Sequence, residues 1–145
     1  MTARILITGS RSWPDPQLLA DTLMDAWHDA TQNGHPGIVI VHGAADGADT
    51  LARDWAEGHG LEHEPHRVTC AMWDTCDESC PPPSHRRARR DGTTYCPLAG
   101  HRRNQAMVDL GAELCIAFHH NRSAGTADAI RRAAAAGIPV RTVNL

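Results

Sequence analysis

Lysine is absent from this 145-residue chain: all 14 basic residues are arginine. The absence rules out a lysine-bearing phosphate loop, a Schiff-base mechanism and a lysine general base. Anion recognition must then rest on guanidinium groups and backbone amides, which suit bidentate phosphate contacts. Long hydrophobic runs are missing too. No apolar stretch approaches the ~18 residues that a membrane span needs. Nothing at Met1-Thr2-Ala3 reads as a signal peptide before a strand-like run begins at Arg4. The expected location is the cytoplasm, with no membrane partner. Net charge is -3, which gives no general attraction to nucleic acid.

What is present is ordinary for a globular protein. With 41% hydrophobic and 21% charged residues, the chain suits a single domain over 1–145 with a proper core. Residues 4–8 (Arg-Ile-Leu-Ile-Thr) read as a first strand. Asp15 then serves as N-cap of a helix with Pro16 at its first position, and Leu19, Thr22, Leu23, Ala26, Trp27 and Ala30 form its buried stripe. Asn33-Gly34 closes that helix, and 38–41 is a second strand. A helix from Ala48 to about Gly58 and a weak strand over 61–68 follow. Later come a helix over 103–110, a strand over 113–118, an alanine-rich helix over 125–136 closed by Gly137, and a last strand over 138–143. Apolar strands alternating with helices predict an α/β fold, a three-layer doubly wound parallel sheet of about five strands.

Residues 69–100 break this rhythm and read as an insertion. They carry Pro81-Pro82-Pro83, an arginine run (Arg86, Arg87, Arg89, Arg90) and four of the five cysteines. A long loop with little apolar content cannot form its own core, so a metal is a natural staple. Cys76 and Cys80 have zinc-ligand spacing, and Cys96 with His85 would complete a tetrahedral set; Cys70 in place of His85 is the alternative. Four protein ligands make the expected zinc structural, not catalytic. Cys115 lies in an apolar run and reads as core. The arginine run reads as a solvated face, because aromatic residues, 4% of the chain, are too few there to stack bases.

In a parallel sheet the loops that follow the strands gather at the carboxyl edge. Three such loops have the composition of an anion site. The first is Thr8-Gly9-Ser10-Arg11. The second is His42-Gly43-Ala44-Ala45-Asp46-Gly47-Ala48-Asp49, a small-residue turn between a strand and a helix start. The third is Ser123-Ala124-Gly125-Thr126, where amides and the Thr126 hydroxyl could hold a phosphate. Arg103-Asn104 adds a clamp. The expected ligand residues are therefore Gly9, Ser10, Arg11, Gly43, Gly47, Asp49, Arg103, Asn104, Gly125 and Thr126, and the expected ligand is nucleotide-like. Asp49 suits ribose hydroxyls or the capping of its own helix.

Taken in order, Ile5-Leu6-Ile7-Thr8-Gly9-Ser10-Arg11, the 42–49 loop, Arg103-Asn104-Gln105-Ala106-Met107-Val108 and Ser123-Ala124-Gly125-Thr126 resemble the YspA-type branch of the SLOG superfamily. This Rossmann-like group also includes DprA and the LOG phosphoribohydrolases. The cysteine-bearing insertion is similar to one in actinobacterial and phage members. The resemblance implies a Rossmann-like fold, nucleotide-derived ligands at these loops, and a homodimer. It implies less about catalysis. LOG enzymes carry a Pro-Gly-Gly-x-Gly-Thr-x-x-Glu motif, whereas here the glutamate position is Ala129 and the nearest carboxylate, Asp128, comes one residue early. On a helix that displacement turns it by ~100°. The reading is thus a nucleotide-binding sensor or sequestering module. A nucleotide N-glycosidic hydrolase, with Asp49 or Asp128 as acid/base and Arg103 as clamp, is the alternative, and a DprA-like single-stranded nucleic-acid binder is the least favoured.

Overall fold

Both faces of a parallel sheet can be buried only if helices cover each, and the two core clusters show that they do. The computed structural model describes residues 1–76 and 86–145. In chain order the elements are β1 (Ala3–Gly9), α1 (Pro16–Gln32), β2 (Ile38–His42), α2 (Ala48–Gly58), β3 (Glu62–Pro65), α3 (Cys70–Asp74), β4 (Arg87–Ala88), β5 (Thr94–Tyr95), α4 (Ala99–Asp109), β6 (Leu114–His119), α5 (Ala124–Ala135) and β7 (Val140–Asn144). The main sheet has the order β3-β2-β1-β6-β7, and every neighbouring pair is parallel. The Rossmann-like doubly wound fold is therefore as expected.

Side chains alternate across β1. Ile5 and Ile7 pack with Ile38, Ile40, Ile116 and Phe118 against α1 and α2, through Leu19, Leu23, Ala52 and Ala56. Leu6 joins Val41 and Cys115 on the opposite face, beneath Met107, Val108 and Ala133 of α4 and α5. Leu23 is fully buried, and truncating such a leucine to alanine costs about 2–5 kcal/mol. Helix α1 starts as its sequence predicts: Asp15 accepts from the Leu18 amide at 2.9 Å, with Pro16 in the first turn. Burial holds the Cys115 thiol up at about 12, in keeping with its core reading.

The insertion departs from expectation. Instead of an irregular loop it contains α3, the antiparallel β4–β5 hairpin and the start of α4. Local polar bonds account for this. The Thr69 hydroxyl accepts from the Met72 amide at 3.2 Å, and Asp91 accepts from the Thr93 amide at 2.9 Å in the hairpin turn. The turn closes with Arg89 donating to the Thr93 carbonyl at 2.7 Å. None of these bonds has an apolar period, so hydrophobic patterning could not reveal them.

Among the described residues no helix is long and apolar enough to cross a membrane.

Candidate functional site

Strand β1 has β2 on one side and β6 on the other, so the winding direction reverses beside it. Ligands of open α/β sheets occupy the crevice at that switch, outside the carboxyl ends of the strands. A cavity of about 550 Å³ lies there, within the size range of small-molecule sites. Gly9, Ser10, Arg11, Asp49, Arg103, Asn104, Gly125 and Thr126 all line it. Loops far apart in sequence are thus brought to one place.

Gly43 and Gly47 do not reach the lining; they stand behind it. Gly47 has φ +81, and a methyl group there would lie 2.5 Å from the Ser10 and Arg11 carbonyl oxygens. It is the N-cap of α2, and it allows the first two loops to touch. Beside it, the Ala48 amide donates to the Ser10 carbonyl at 3.1 Å. A methyl group at Gly43 would sit 2.6 Å from Cζ of Arg103, so that glycine makes room for a guanidinium of this chain.

Asp49 is the polar centre of the second loop. Its Oδ2 accepts from the Gly43 amide at 3.1 Å and from the Ala45 amide at 3.2 Å. Two amides of the turn are therefore directed at a carboxylate of the same chain and not into the cavity. Its Oδ1 is buried and has no partner among the described residues. Burial drives the Asp49 carboxyl up to about 6, against the lowering effect of the Ala45 bond and the Arg103 charge. Shifted carboxyls in clefts cluster at functional sites. Asp49 makes no cap bond, since the Gly47 terminus carries none.

Arg103 crosses from α4 to the second loop. Its Nη1 donates to the Gly43 carbonyl at 2.5 Å and the His66 carbonyl at 3.3 Å, and its Nε to Asn104 Oδ1 at 3.1 Å. Burial lowers the guanidinium pKa, which the Asp49 charge partly restores. Asn104 in turn donates to Asp128 Oδ2 at 3.1 Å and the Gly125 carbonyl at 3.3 Å. Asp128 also receives Arg132 Nε at 2.8 Å, and it is not part of the cavity lining. Burial raises its carboxyl pKa, but the bonds from Arg132 and Asn104 outweigh that and hold it below the usual range. Asp128 ties α5 to α4.

The third loop caps itself. Ser123 Oγ accepts from the Thr126 amide at 3.3 Å and from the Thr126 hydroxyl at 2.9 Å. The donors of Thr126 that were expected to hold a phosphate are directed to that serine. By helix geometry the amides of Ala124 and Gly125 have no intrahelical acceptor and carry the positive end of α5. A methyl group added at Gly125 would meet nothing within 4 Å, so this glycine borders open space. Asn121 and Arg122, at φ +53 and +52, make the turn into this loop, and Asn121 reaches Ser12 Oγ at 3.3 Å.

Sequence reasoning missed Ser12, Trp73, Pro97, His101 and Asn121 in the lining. The lone tryptophan of a polar insertion was the available signal for Trp73; the others carry none at the level of pattern. It also missed a relay behind the second loop, running from buried His42 through half-buried His63 to exposed Glu57. The Ala44 amide donates to His42 Nδ1 at 3.0 Å, so the proton of His42 is on Nε2 and faces His63 Nδ1 at 3.0 Å. His63 Nε2 then meets Glu57 at 3.2 Å. Burial, then the neighbouring His63, lowers His42 to about 4, so it is neutral at physiological pH.

The expected zinc ligands divide. Cys80 and His85, with the Pro81–Pro83 run, lie outside the described residues. Cys96 is fully buried, whereas Cys70 and Cys76 are exposed, and Arg86 Nη1 donates to Cys76 at 3.2 Å. Among the described residues no three His, Cys, Asp or Glu side chains form a metal-holding group.

Comparison with known proteins agrees with this architecture. The model of the family described as "YspA, cpYpsA-related SLOG family" matches residues 3–71, a span that holds the first two loops. Over 137 residues the chain is 40% identical to the Gene 61 protein of Mycobacterium phage D29, covering 94% of this chain and 93% of the phage protein. Its fold is similar to the X-ray structure of DNA processing protein A (DprA) from Streptococcus pneumoniae, with a TM-score of 0.61 at 20% identity. That likeness covers 97% of this chain and 50% of the other, so the chain spans half the length of that protein. From the matched family model and the phage relative together, the chain belongs to the YspA, cpYpsA-related SLOG family.

Proposed function

We propose that the chain binds a nucleotide or nucleotide-derived ligand in the carboxyl-edge cavity, as a sensor or sequestering module. The observation that carries this reading is Asp49 Oδ1, a buried acceptor without a partner among the described residues, on a side chain of the cavity lining. A sugar hydroxyl would satisfy it. The exposed Arg11 and the first-turn amides of α5 suit a phosphate at the same cavity. Thermal-shift and calorimetric titration against AMP, ADP-ribose, cyclic nucleotides and cytokinin-type monophosphates tests it. Binding of at least one with a micromolar-range Kd is expected, and no response to any of them defeats the reading.

A second reading, N-glycosidic hydrolysis, is favoured by one observation: the Asp49 carboxyl sits near 6 inside the cavity, in reach of general acid–base work. Release of free base, followed by chromatography, separates cleavage from binding. Asp128, which faces α4, is the weaker candidate for that role.

For the insertion we propose a structural zinc on Cys76, Cys80, His85 and Cys96, with Cys70 in place of His85 as the alternative. Thiol spacing supports it. Metal analysis of the purified protein should find about one equivalent of zinc; a metal-free protein with fully titratable thiols rules it out.

A further inference from the structure

The chain has six aromatic residues of the Trp, Tyr and Phe types. Trp13 and Phe118 meet edge to face at 5.2 Å in the core, and Trp27 and Trp55 do so at 6.0 Å against the same cluster. The other two, Trp73 and Tyr95, lie in the insertion and meet each other, 5.8 Å apart at 74°. Arg89 stands over the Tyr95 ring at 5.1 Å. Trp73 borders two spaces: the main cavity, and a recess of about 270 Å³ that it shares with Tyr95 and Arg89.

Its position is built and not incidental. The Trp73 carbonyl accepts from the Cys96 amide at 2.7 Å. Arg102 of α4 donates to the carbonyls on either side, those of Met72 and of Thr75, the latter at 2.6 Å. The short helix that carries the indole is thereby pinned to the helix that carries Arg103. With its backbone fixed and its ring against Tyr95, the indole loses little freedom when a base lies against it.

We propose that Trp73, backed by Tyr95 and Arg89, is a base-stacking wall, and that the ligand is a base-bearing nucleotide and not a bare sugar phosphate. The inference rests on the reading of the cavity as a nucleotide site, and it adds which part of the ligand the insertion recognises. Phosphate and sugar are held by the sheet-edge loops, with Asp49 Oδ1 taking a sugar hydroxyl. The base extends over Trp73 towards the recess, where stacking is insensitive to base identity but requires a base.

The test titrates the full-length protein with AMP, GMP, ribose 5-phosphate and a short single-stranded oligonucleotide, and repeats this with Trp73→Leu and Trp73→Phe. In the wild type a purine nucleotide should bind about tenfold or more tighter than ribose 5-phosphate, with quenching of indole fluorescence. Trp73→Leu should remove that difference while leaving ribose 5-phosphate affinity unchanged, and Trp73→Phe should keep most of it. Equal binding of AMP, GMP and ribose 5-phosphate to the wild type overturns the stacking wall and leaves the phosphate site standing; this holds whether or not the leucine variant folds. Parallel loss of all ligands in Trp73→Leu also overturns it, because it marks a structural role. Tighter, salt-sensitive binding of the oligonucleotide overturns it in favour of a strand-binding surface. Failure of every probe to bind removes the nucleotide site itself, and the wall with it.

Discussion

The Asp49 carboxylate is held 3.1 Å from the Gly43 amide through one oxygen, while its other oxygen is buried without a partner among the described residues. The first contact shapes the loop, and the second oxygen is the acceptor proposed to take a sugar hydroxyl. One side chain thus joins fold and proposed function, and it titrates. Its pKa in the fold, about 6, lies above the ordinary 3.8 because burial disfavours the charge. A raised carboxyl contributes stability that is present below about 4 and is lost as pH rises to about 6.

Asp49→Asn removes that titration. The variant should gain on the wild type as pH rises from 3.8 to about 6, with the difference constant above. This pH-dependent part is on the order of 3 kcal/mol at most. Nucleotide affinity should fall about tenfold or more, because an acceptor can become a donor. Denaturant melts at several pH values, with a titration at pH 7.5, check both halves; a stability difference that does not vary with pH contradicts the account.

His42 has the opposite sign. Its pKa in the fold is lowered to about 4 from 6.5, so the unfolded chain takes up the proton first. Stability is lost as pH falls from 6.5 towards 4, and His42→Asn should flatten that part of the acid-unfolding curve. An unchanged acid midpoint in the variant would show that the relay carries no linkage.

Two glycines separate fold from binding. Gly47→Ala places a methyl group against backbone oxygens in a left-handed conformation, and should cost more than about 2 kcal/mol. Gly125→Ala adds a methyl group that meets nothing beyond its own helix within 4 Å among the described residues. It should leave stability within about 1 kcal/mol of wild type or raise it, since alanine favours a helix. Ligand affinity should nonetheless drop, because the methyl group enters the cavity. Paired melting and titration data read out the contrast.

Asp128→Ala should be a stability variant. It strips the Asn104 and Arg132 bonds from a buried carboxylate, at a cost of roughly 2–4 kcal/mol. Nucleotide affinity, measured where the variant is folded, should stay within about threefold. If base release is detected and this substitution abolishes it without unfolding, Asp128 belongs to the chemistry after all.

The start of α1 and the core stripes were readable because their signals are local. Asp15 and Pro16 announce α1, and Leu19, Leu23, Ala26 and Ala30 repeat at helical spacing along its buried face. The three loops were readable by the same route, since a parallel sheet sends them to one edge. Their division of labour was not. Gly43 and Gly47 look like residues for a ligand in one dimension, and in three they accommodate Arg103, Ser10 and Arg11. Likewise Thr126 looks like a phosphate donor until Ser123 is seen to take its donors.

By itself the sequence determined the strand and helix alternation, the parallel sheet and the edge at which small residues gather, because periodicity and capping act within a few residues. Only the tertiary structure decided which donors face the cavity, which are satisfied by the chain, and that Trp73 of the insertion lines the cavity together with residues of β1, α2, α4 and α5. The physical reason is range. A hydrogen bond such as Arg103 to Gly43 links residues 60 apart in sequence, and no local pattern encodes which of several acceptors a long guanidinium will reach.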